Sequence, residues 1–307
     1  MIKVITTGRL SAQFYAHFKD NELGVEVRLT EQLTQAQIDW ADCLASFPID
    51  ESISLQQLKW IHSFGAGVDG FLKRADLGAD LRLSRTTGKL GAKAGEFCLC
   101  HILNFLQDTF SIYEDMQSQT WRERSATGLK DKTVLLLGTG SMAQGIAQLL
   151  GAIGISVVGV NTSGLTNKPY FNRCYSFDAL PSALPDVSCI INTLPHHKAT
   201  QGLLDTAFFA RFAQALFINI GRGQSVNTED LKLALDTDRI RYCVLDVFDE
   251  EPLPAASWLW HHPRVFISPH QAAITDIDDI ATSFVTALQA ISQKAPNTCF
   301  VDRDKSY

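Results

Sequence analysis

Three polar side chains stand at the ends of short apolar runs, where folding alone would not require them. They are Arg222 in Asn219-Ile220-Gly221-Arg222-Gly223, Glu251 in Asp246-Val247-Phe248-Asp249-Glu250-Glu251-Pro252-Leu253, and His270 in Ser268-Pro269-His270. Apolar runs of this kind form buried parallel strands, and the carboxyl ends of such strands are where α/β proteins build their sites. A guanidinium can grip a carboxylate through two parallel hydrogen bonds. An imidazole paired with a carboxylate is an orientable proton donor that titrates near neutrality. Taken singly, each residue also has an ordinary explanation: a surface turn for Arg222, a solvated acid for Glu251, a carbonyl-bonded histidine for His270.

A second constellation is Gly138-Thr139-Gly140-Ser141-Met142-Ala143, which fits G-x-G-x-x-G/A between an apolar strand and a helical pattern. In that setting Gly138 makes the tight turn, Gly140 lets a pyrophosphate approach the backbone, and Ala143 keeps helix and strand close. Ser141 and Met142 open a helix whose free N–H groups favour phosphate. At the end of the next strand, where an acid would bind the adenosine ribose, the chain reads Val160-Asn161-Thr162-Ser163-Gly164. A carboxylate there would repel a 2′-phosphate, so its absence permits NADP(H), with Thr162 and Ser163 as donors. Lys168 is the nearest cation, and the segment holds no arginine. An ordinary polar loop in a protein that uses NAD(H) fits the same residues.

Parallel-sheet elements must position these groups. Ile2 to Thr6, a helical pattern through Phe14 and Phe18, and Val25 to Val27 make a β-α-β opening. A second opening begins at Lys132, with Val134 to Leu137, helically spaced Met142, Ile146, Leu149, Leu150 and Ile153, then Ile155 to Val160. Two such openings predict two parallel-sheet domains. Val187 to Ile191, Leu216 to Ile218, Tyr242 to Leu245 and Val265 to Ile267 continue the second sheet. Between the openings, Lys93 to Gln119 reads as one long helix, apolar over most of its circumference and therefore buried, crossing between domains or packing on another subunit. A last helix starts near Thr275, where Thr275 and Asp278 have capping-box spacing, and returns the chain to the first domain. Residues 93–97 and 271–275 are the expected hinges.

The chain has 307 residues, a net charge of −6 and 46% hydrophobic residues, enough for two cores and unsuited to a nucleic-acid partner. No apolar run reaches membrane-spanning length and the start lacks signal-peptide order, so the expected location is the cytoplasm and no membrane partner is expected. The seven cysteines are scattered, without any C-x-x-C pair, and read as buried reduced thiols rather than disulfides or metal ligands.

The chain resembles the D-isomer-specific 2-hydroxyacid dehydrogenases, and more narrowly their glyoxylate/hydroxypyruvate reductase branch. The matching stretches are Leu58 to Asp69 (LKWIHSFGAGVD), Lys132 to Ala147 (KTVLLLGTGSMAQGIA), Asn219 to Gly223 (NIGRG), Leu245 to Pro254 (LDVFDEEPLP), Ser268 to Ala273 (SPHQAA) and Val301-Asp302-Arg303, in the family's order. The resemblance implies an α/β fold of two doubly wound parallel-sheet domains. A Rossmann nucleotide-binding domain at 97–273 would be inserted into a flavodoxin-like substrate domain formed by 1–96 and 274–307.

The resemblance further implies Arg222, Glu251 and His270 as the catalytic set. It places Asp246 at the nicotinamide carboxamide, and Leu194, Pro195 and Ile220 along NADP(H) or NAD(H). The loop Gly65-Ala66-Gly67-Val68 would offer backbone N–H groups to the carboxylate of a 2-keto or 2-hydroxy acid, alongside Arg222 and His270; small residues suit such an approach. A homodimer joined through the nucleotide domain and the helix before it is implied, as is closure of the domains over the reactants. The chain departs from the family at Ala143, which replaces the third glycine, and at Asn161-Thr162-Ser163, which lacks both the acid of NAD-specific members and the arginine of NADP-specific ones. The expected reaction is reduction of small 2-keto acids, with His270 giving its proton to the alkoxide and Glu251 keeping the ring charged. Two other readings are a dinucleotide-sensing corepressor-like scaffold, which the retained Arg, Glu and His oppose, and a dehydrogenase of larger acids such as phenylpyruvate, with Phe47, Phe64, Trp258 and Trp260 as pocket candidates.

Overall fold

A computed structural model describes residues 1–124, 126–184, 186–293 and 299–303, so the expected C-terminal segment 274–307 lies partly outside the described residues. The chain begins with β1 (Ile2–Thr7), α1 (Ser11–Phe18), β2 (Val25–Thr30), α2 (Gln35–Trp40), β3 (Cys43–Ser46), β4 (Trp60–Ser63), α3 (Asp69–Leu72) and β5 (Arg82–Arg85). It continues through α4 (Leu90–Leu106), α5 (Thr109–Gln117), β6 (Thr133–Leu137), α6 (Ser141–Ala152), β7 (Ser156–Asn161), β8 (Arg173–Ser176) and β9 (Val187–Asn192). Then follow α7 (Thr206–Phe209), β10 (Ala215–Asn219), α8 (Thr228–Asp236), β11 (Ile240–Leu245), β12 (Val265–Ile267) and α9 (Ile277–Gln293). Two compact units result, Met1–Lys89 with Thr275–Tyr307, and Leu90–Ile274. Because α4 belongs wholly to the second unit, the first crossing falls at 89/90, ahead of the expected 96/97, and the second at 274/275.

In the first unit five parallel strands run β2-β1-β3-β4-β5, the flavodoxin-like order. Strands such as Cys43–Ser46 and Trp60–Ser63 are buried along their whole length because helices cover both faces. One face packs Phe14 and Phe18 of α1 and Phe284 of α9, with Trp60 stacked on Phe284 at 4.8 Å. The other face holds Ile38, Leu55 and Phe71.

The second unit carries a seven-stranded parallel sheet, β12-β11-β10-β9-β6-β7-β8, with its crossover between β6 and β9 as in a Rossmann domain. Phe208, Phe209, Leu231 and Leu235 from α7 and α8 cover one face. Cys98 and Ile102 of α4 and Ile146 and Leu150 of α6 cover the other.

The long helix expected over Lys93 to Gln119 is two helices. Asp108 takes a left-handed conformation (φ 52°), and its carboxylate binds Arg124 Nη1 at 2.7 Å and Arg241 Nη2 at 3.1 Å, partners that periodicity could not reveal. Nor is the helical stretch buried all round: Ile112, Tyr113 and Met116 of α5 are exposed. The last helix is capped by Asp276 rather than Thr275, since Asp276 Oδ1 accepts the Asp279 N–H at 2.9 Å. Five of the seven cysteines are buried as expected, but Cys100 is exposed and Cys174 half-buried. No helix among the described residues is long and apolar enough to cross a membrane.

Candidate active site

In the second unit, the loops leaving the carboxyl ends of β6, β9, β10, β11 and β12 carry the candidate residues. The turn after β6 uses Gly138 at φ 97°, and a Cβ there would meet Thr193 Oγ1 at 2.6 Å, so glycine alone lets this turn lie against the loop after β9. Over Gly140, by contrast, a Cβ would have no neighbour within 4 Å. That open space faces the start of α6, a helix with no acid in its first turn and no side chain capping its N–H groups. Ser141 and Met142 begin the helix, and Ala143 is fully buried against the sheet. Open space above unspent donors at a helix start fits a pyrophosphate. The dinucleotide would be held here by Gly138, Gly140 and the first turn of α6.

The adenosine end of that path is the loop after β7. Asn161 there is committed to its own loop: Oδ1 accepts from Ser163 N (3.1 Å), Ser163 Oγ (3.2 Å) and Gly164 N (2.8 Å), while Nδ2 donates to Thr139 Oγ1 (2.9 Å) and Leu165 O (2.8 Å). Thr162 and Ser163 are exposed. Beside them a recess of about 490 Å³ is lined by Thr139, Gln144, Leu165, Thr166, Asn167 and Lys168.

Arg222 follows β10 in a turn fixed by a buried polar network that sequence reading missed. Asn192 Nδ2, at the end of β9, donates to Asn219 Oδ1 (2.8 Å) and Ser225 Oγ (2.7 Å). Asn219 Nδ2 (3.2 Å) and Ser225 Oγ (2.7 Å) then donate to the Arg222 carbonyl. Asn192 Oδ1 also accepts the Leu194 N–H at 3.1 Å, and Ile220 N donates to Asn192 O at 3.2 Å, so Leu194, Pro195 and Ile220 border the same turn. The signal was available: Asn192 and Asn219 each end an otherwise apolar strand, as the candidate residues do. Gly223 seats the turn against the next loop, for a Cβ on it would overlap the Phe248 carbonyl and the Asp249 nitrogen.

His270 and Glu251 meet. His270 Nδ1 lies 2.8 Å from Glu251 Oε2, and Oε1 of the same carboxylate accepts the Phe248 N–H at 2.9 Å. The hydrogen bond from Glu251 raises the His270 pKa above its ordinary value, opposed by burial, and the charges of Glu251 and Asp246 add to the rise while that of Arg222 lowers it. Burial resists ionisation of Glu251, but the bonds from His270 and Phe248 and the charges of His270 and Arg222 outweigh it and hold its carboxyl below the usual value. Both shifts act in the same sense, toward imidazolium beside carboxylate.

Asp246 organises the turn that carries His270. Its Oδ1 accepts from Ser268 Oγ (2.6 Å) and Gln271 N (2.8 Å), its Oδ2 from Ala272 N (2.9 Å), and its carbonyl from the His270 N–H (2.9 Å). These bonds support a left-handed backbone at His270 (φ 52°) that a non-glycine residue seldom adopts.

The loop Gly65–Val68 belongs to the first unit, after β4. Ser63 Oγ accepts the Gly65 N–H at 3.3 Å and Arg85 Nη1 donates to Ala66 O at 3.3 Å. Of the aromatic pocket candidates, Phe64 is fully buried in that unit's core and Trp258 packs on the core of the second unit, whereas Trp260 is exposed and Phe47 half-buried.

Residues 99–272 match the family model described as D-isomer specific 2-hydroxyacid dehydrogenase, NAD binding domain. The chain is 28% identical over 294 residues to glyoxylate/hydroxypyruvate reductase A of Enterobacter sp. (strain 638), covering 92% of each chain. Among solved structures, a D-isomer specific 2-hydroxyacid dehydrogenase family protein from Aeromonas salmonicida superposes with a TM-score of 0.90 at 30% identity, over 99% of both chains. An NADPH-dependent glyoxylate/hydroxypyruvate reductase from Sinorhizobium meliloti, solved with NADP and sulfate, gives 0.87 at 26% identity over the whole of both chains.

Proposed function

The chain belongs to the D-isomer specific 2-hydroxyacid dehydrogenases, NAD(P)-dependent oxidoreductases, and we propose that it reduces small 2-keto acids of the glyoxylate and hydroxypyruvate type to D-2-hydroxy acids. The observation that carries this reading is the 2.8 Å His270–Glu251 pair standing at the same strand ends as the open glycine turn of α6. Bound NAD(P)H supplies the hydride that reduces the keto carbon. Arg222 binds and orients the carboxylate, and Nε2 of protonated His270 gives its proton to the developing alkoxide. Glu251 holds the ring by Nδ1 and keeps it charged until the transfer.

For the coenzyme we propose a modest preference for NADPH. The exposed hydroxyls of Thr162 and Ser163 and the Lys168 ammonium border the recess, and no carboxylate ends β7 to repel a 2′-phosphate. We also propose a homodimer in the cytoplasm. Exposed Leu103, Ile112, Tyr113, Met116 and Trp121 on and after α4 and α5 give a second copy an apolar surface to cover, and scattered, mostly buried cysteines suit a reducing compartment.

The test is His270→Ala, assayed for glyoxylate and hydroxypyruvate reduction and, separately, for NADPH binding by fluorescence. Loss of a general acid should lower kcat about 10²–10⁴-fold with the coenzyme dissociation constant unchanged. A variant retaining more than about a tenth of the wild-type kcat overturns the assignment.

A further inference from the structure

The second unit has a recess at the end of its sheet opposite the candidate active site. The loops of that site leave the carboxyl ends of the strands, whereas Lys132, Val187, Gln214 and Arg241, which line the recess, lie at or next to the amino ends of β6, β9, β10 and β11. The five residues of β6, at about 3.3 Å each, separate the two ends by about 16 Å. The chain breaks at Asp108, whose left-handed backbone (φ 52°) separates α4 from α5. The last turn of α4 gives the recess, of about 400 Å³, an apolar wall of Phe105 and Leu106 beside Val187.

Most of the remaining lining is charged or polar. Arg124, Lys132 and Arg241 line it with one carboxylate, Asp108. That carboxylate is spent: Oδ2 accepts from Arg124 Nη1 at 2.7 Å, and Oδ1 accepts from Arg241 Nη2 at 3.1 Å and Ser111 Oγ at 2.9 Å. Asp115 accepts from Arg124 Nε at 3.0 Å and Nη2 at 2.6 Å, with Arg122 a further 3.7 Å away. The Leu106 carbonyl, at the negative end of α4, accepts the Thr127 N–H at 3.0 Å. Two cations keep unspent donors: Nε and Nη1 of Arg241 and the Lys132 ammonium have no acceptor among the described residues. Four cations thus stand against two carboxylates, beside an apolar wall. A phosphate monoester carries nearly two negative charges and three acceptor oxygens at neutral pH, and matches two unspent cations better than a single carboxylate does.

We propose that this recess binds a small phosphate monoester, with its phosphate held by Lys132 and Arg241 and its carbon body against Phe105, Leu106 and Val187. The proposal is independent of the keto-acid reading, which concerns the other end of the sheet.

The test is titration calorimetry of phenyl phosphate, inorganic phosphate and benzoate against the full-length protein, with NADP⁺ present so that the start of α6 does not compete for phosphate. Phenyl phosphate should bind about tenfold or more tightly than either of the others, since inorganic phosphate lacks the apolar body and benzoate the second charge. Lys132→Met keeps the side-chain stem and breaks no ion pair, so its urea midpoint should equal that of the wild type while phenyl phosphate binding weakens about tenfold or more; Lys132→Arg should retain the binding. Absence of binding, an affinity that Lys132→Met leaves unaltered, or benzoate binding as tightly as phenyl phosphate overturns the proposal. Equal binding of phenyl phosphate and inorganic phosphate overturns the ester in favour of a free phosphate. None of these outcomes depends on whether the protein reduces a keto acid.

Discussion

Replacing Glu251 with Gln isolates the charge of the proposed proton donor's partner, because shape and volume are kept. In the wild type the Glu251 hydrogen bond is the largest influence raising the His270 pKa; without it, burial and the Arg222 charge remain, opposed only by Asp246. The amide cannot restore the balance. If its oxygen keeps the Phe248 N–H, bound at 2.9 Å by Glu251 in the wild type, its NH₂ faces His270 Nδ1, which then must be an acceptor on a neutral ring. If the amide is turned over, its NH₂ meets the Phe248 N–H, donor against donor.

The size of the effect follows from exposure. Two unit charges about 4 Å apart attract by about 1 kcal/mol in water and about 4 kcal/mol at an effective dielectric of 20. The His270 and Glu251 side chains are 55% and 36% exposed, so the aqueous end of that range applies. About 1 kcal/mol corresponds to a roughly fivefold smaller protonated fraction on the alkaline side. The sign follows from linkage: a histidine with a raised pKa keeps its proton to higher pH than an ordinary one and loses it as pH rises through the raised value, and the variant loses it earlier. Initial rates of glyoxylate reduction at saturating NADPH, from pH 5 to 9, should show the alkaline limb displaced to lower pH, with kcat/KM about fivefold below wild type there and close to it near pH 5. In the reverse direction, oxidation of the hydroxy acid needs neutral His270, so its acid limb should move the same way. An alkaline limb that stays in place, or moves up, refutes the pairing as the source of the charge on His270.

Gly223→Ala should unseat the Arg222 turn, because the new methyl overlaps the backbone at Phe248 and Asp249; overpacking of this kind costs about 1–3 kcal/mol, and urea unfolding with unaltered stability and kcat/KM would contradict it. Buried His62, whose pKa burial lowers to about 3, takes up a proton in the unfolded chain below about pH 6.5 but not in the folded one, so its contribution makes stability fall as pH drops from 6.5 towards 3. Between pH 7 and pH 4, His62→Gln should therefore lose about 3 kcal/mol less than the wild type in urea unfolding, and an equal loss in both proteins would refute the assignment. For the coenzyme, kcat/KM with NADPH should exceed that with NADH by about tenfold, and Lys168→Ala should lower that ratio; an unaltered ratio would remove Lys168 from the 2′-phosphate site.

The groups proposed to do chemistry were legible because they are out of place. Arg222, Glu251 and His270 follow apolar runs that become β10, β11 and β12, and no packing requirement explains them there. The glycine turn was legible for a related reason, since Gly138 and Gly140 occupy positions where the backbone itself must be approached. What the sequence could not separate is a side chain that meets a ligand from one that holds a loop, because both are polar residues at the same strand ends. β8, a short edge strand without a continuous apolar run, and the break at Asp108, set by Arg124 and Arg241 far along the chain, were hidden because their causes are not local.

Asn161 shows where that ambiguity leads. From its position at the end of β7 it stands where an acid would meet the ribose, yet its oxygen takes three donors and its amide two acceptors from Thr139, Ser163, Gly164 and Leu165. An aspartate there would set a carboxylate oxygen against the Leu165 carbonyl, now 2.8 Å from Nδ2, and repel it. Restoring the acid would therefore remodel the loop before it could select a coenzyme, which leaves the proposed discrimination to Thr162, Ser163 and Lys168, all exposed. Asp246 follows the same logic at the other end of the site. Ser268, Gln271 and Ala272 all donate to its carboxylate, so its effect on His270 is exerted chiefly through the turn it holds, and a substitution there would move the proposed proton donor itself.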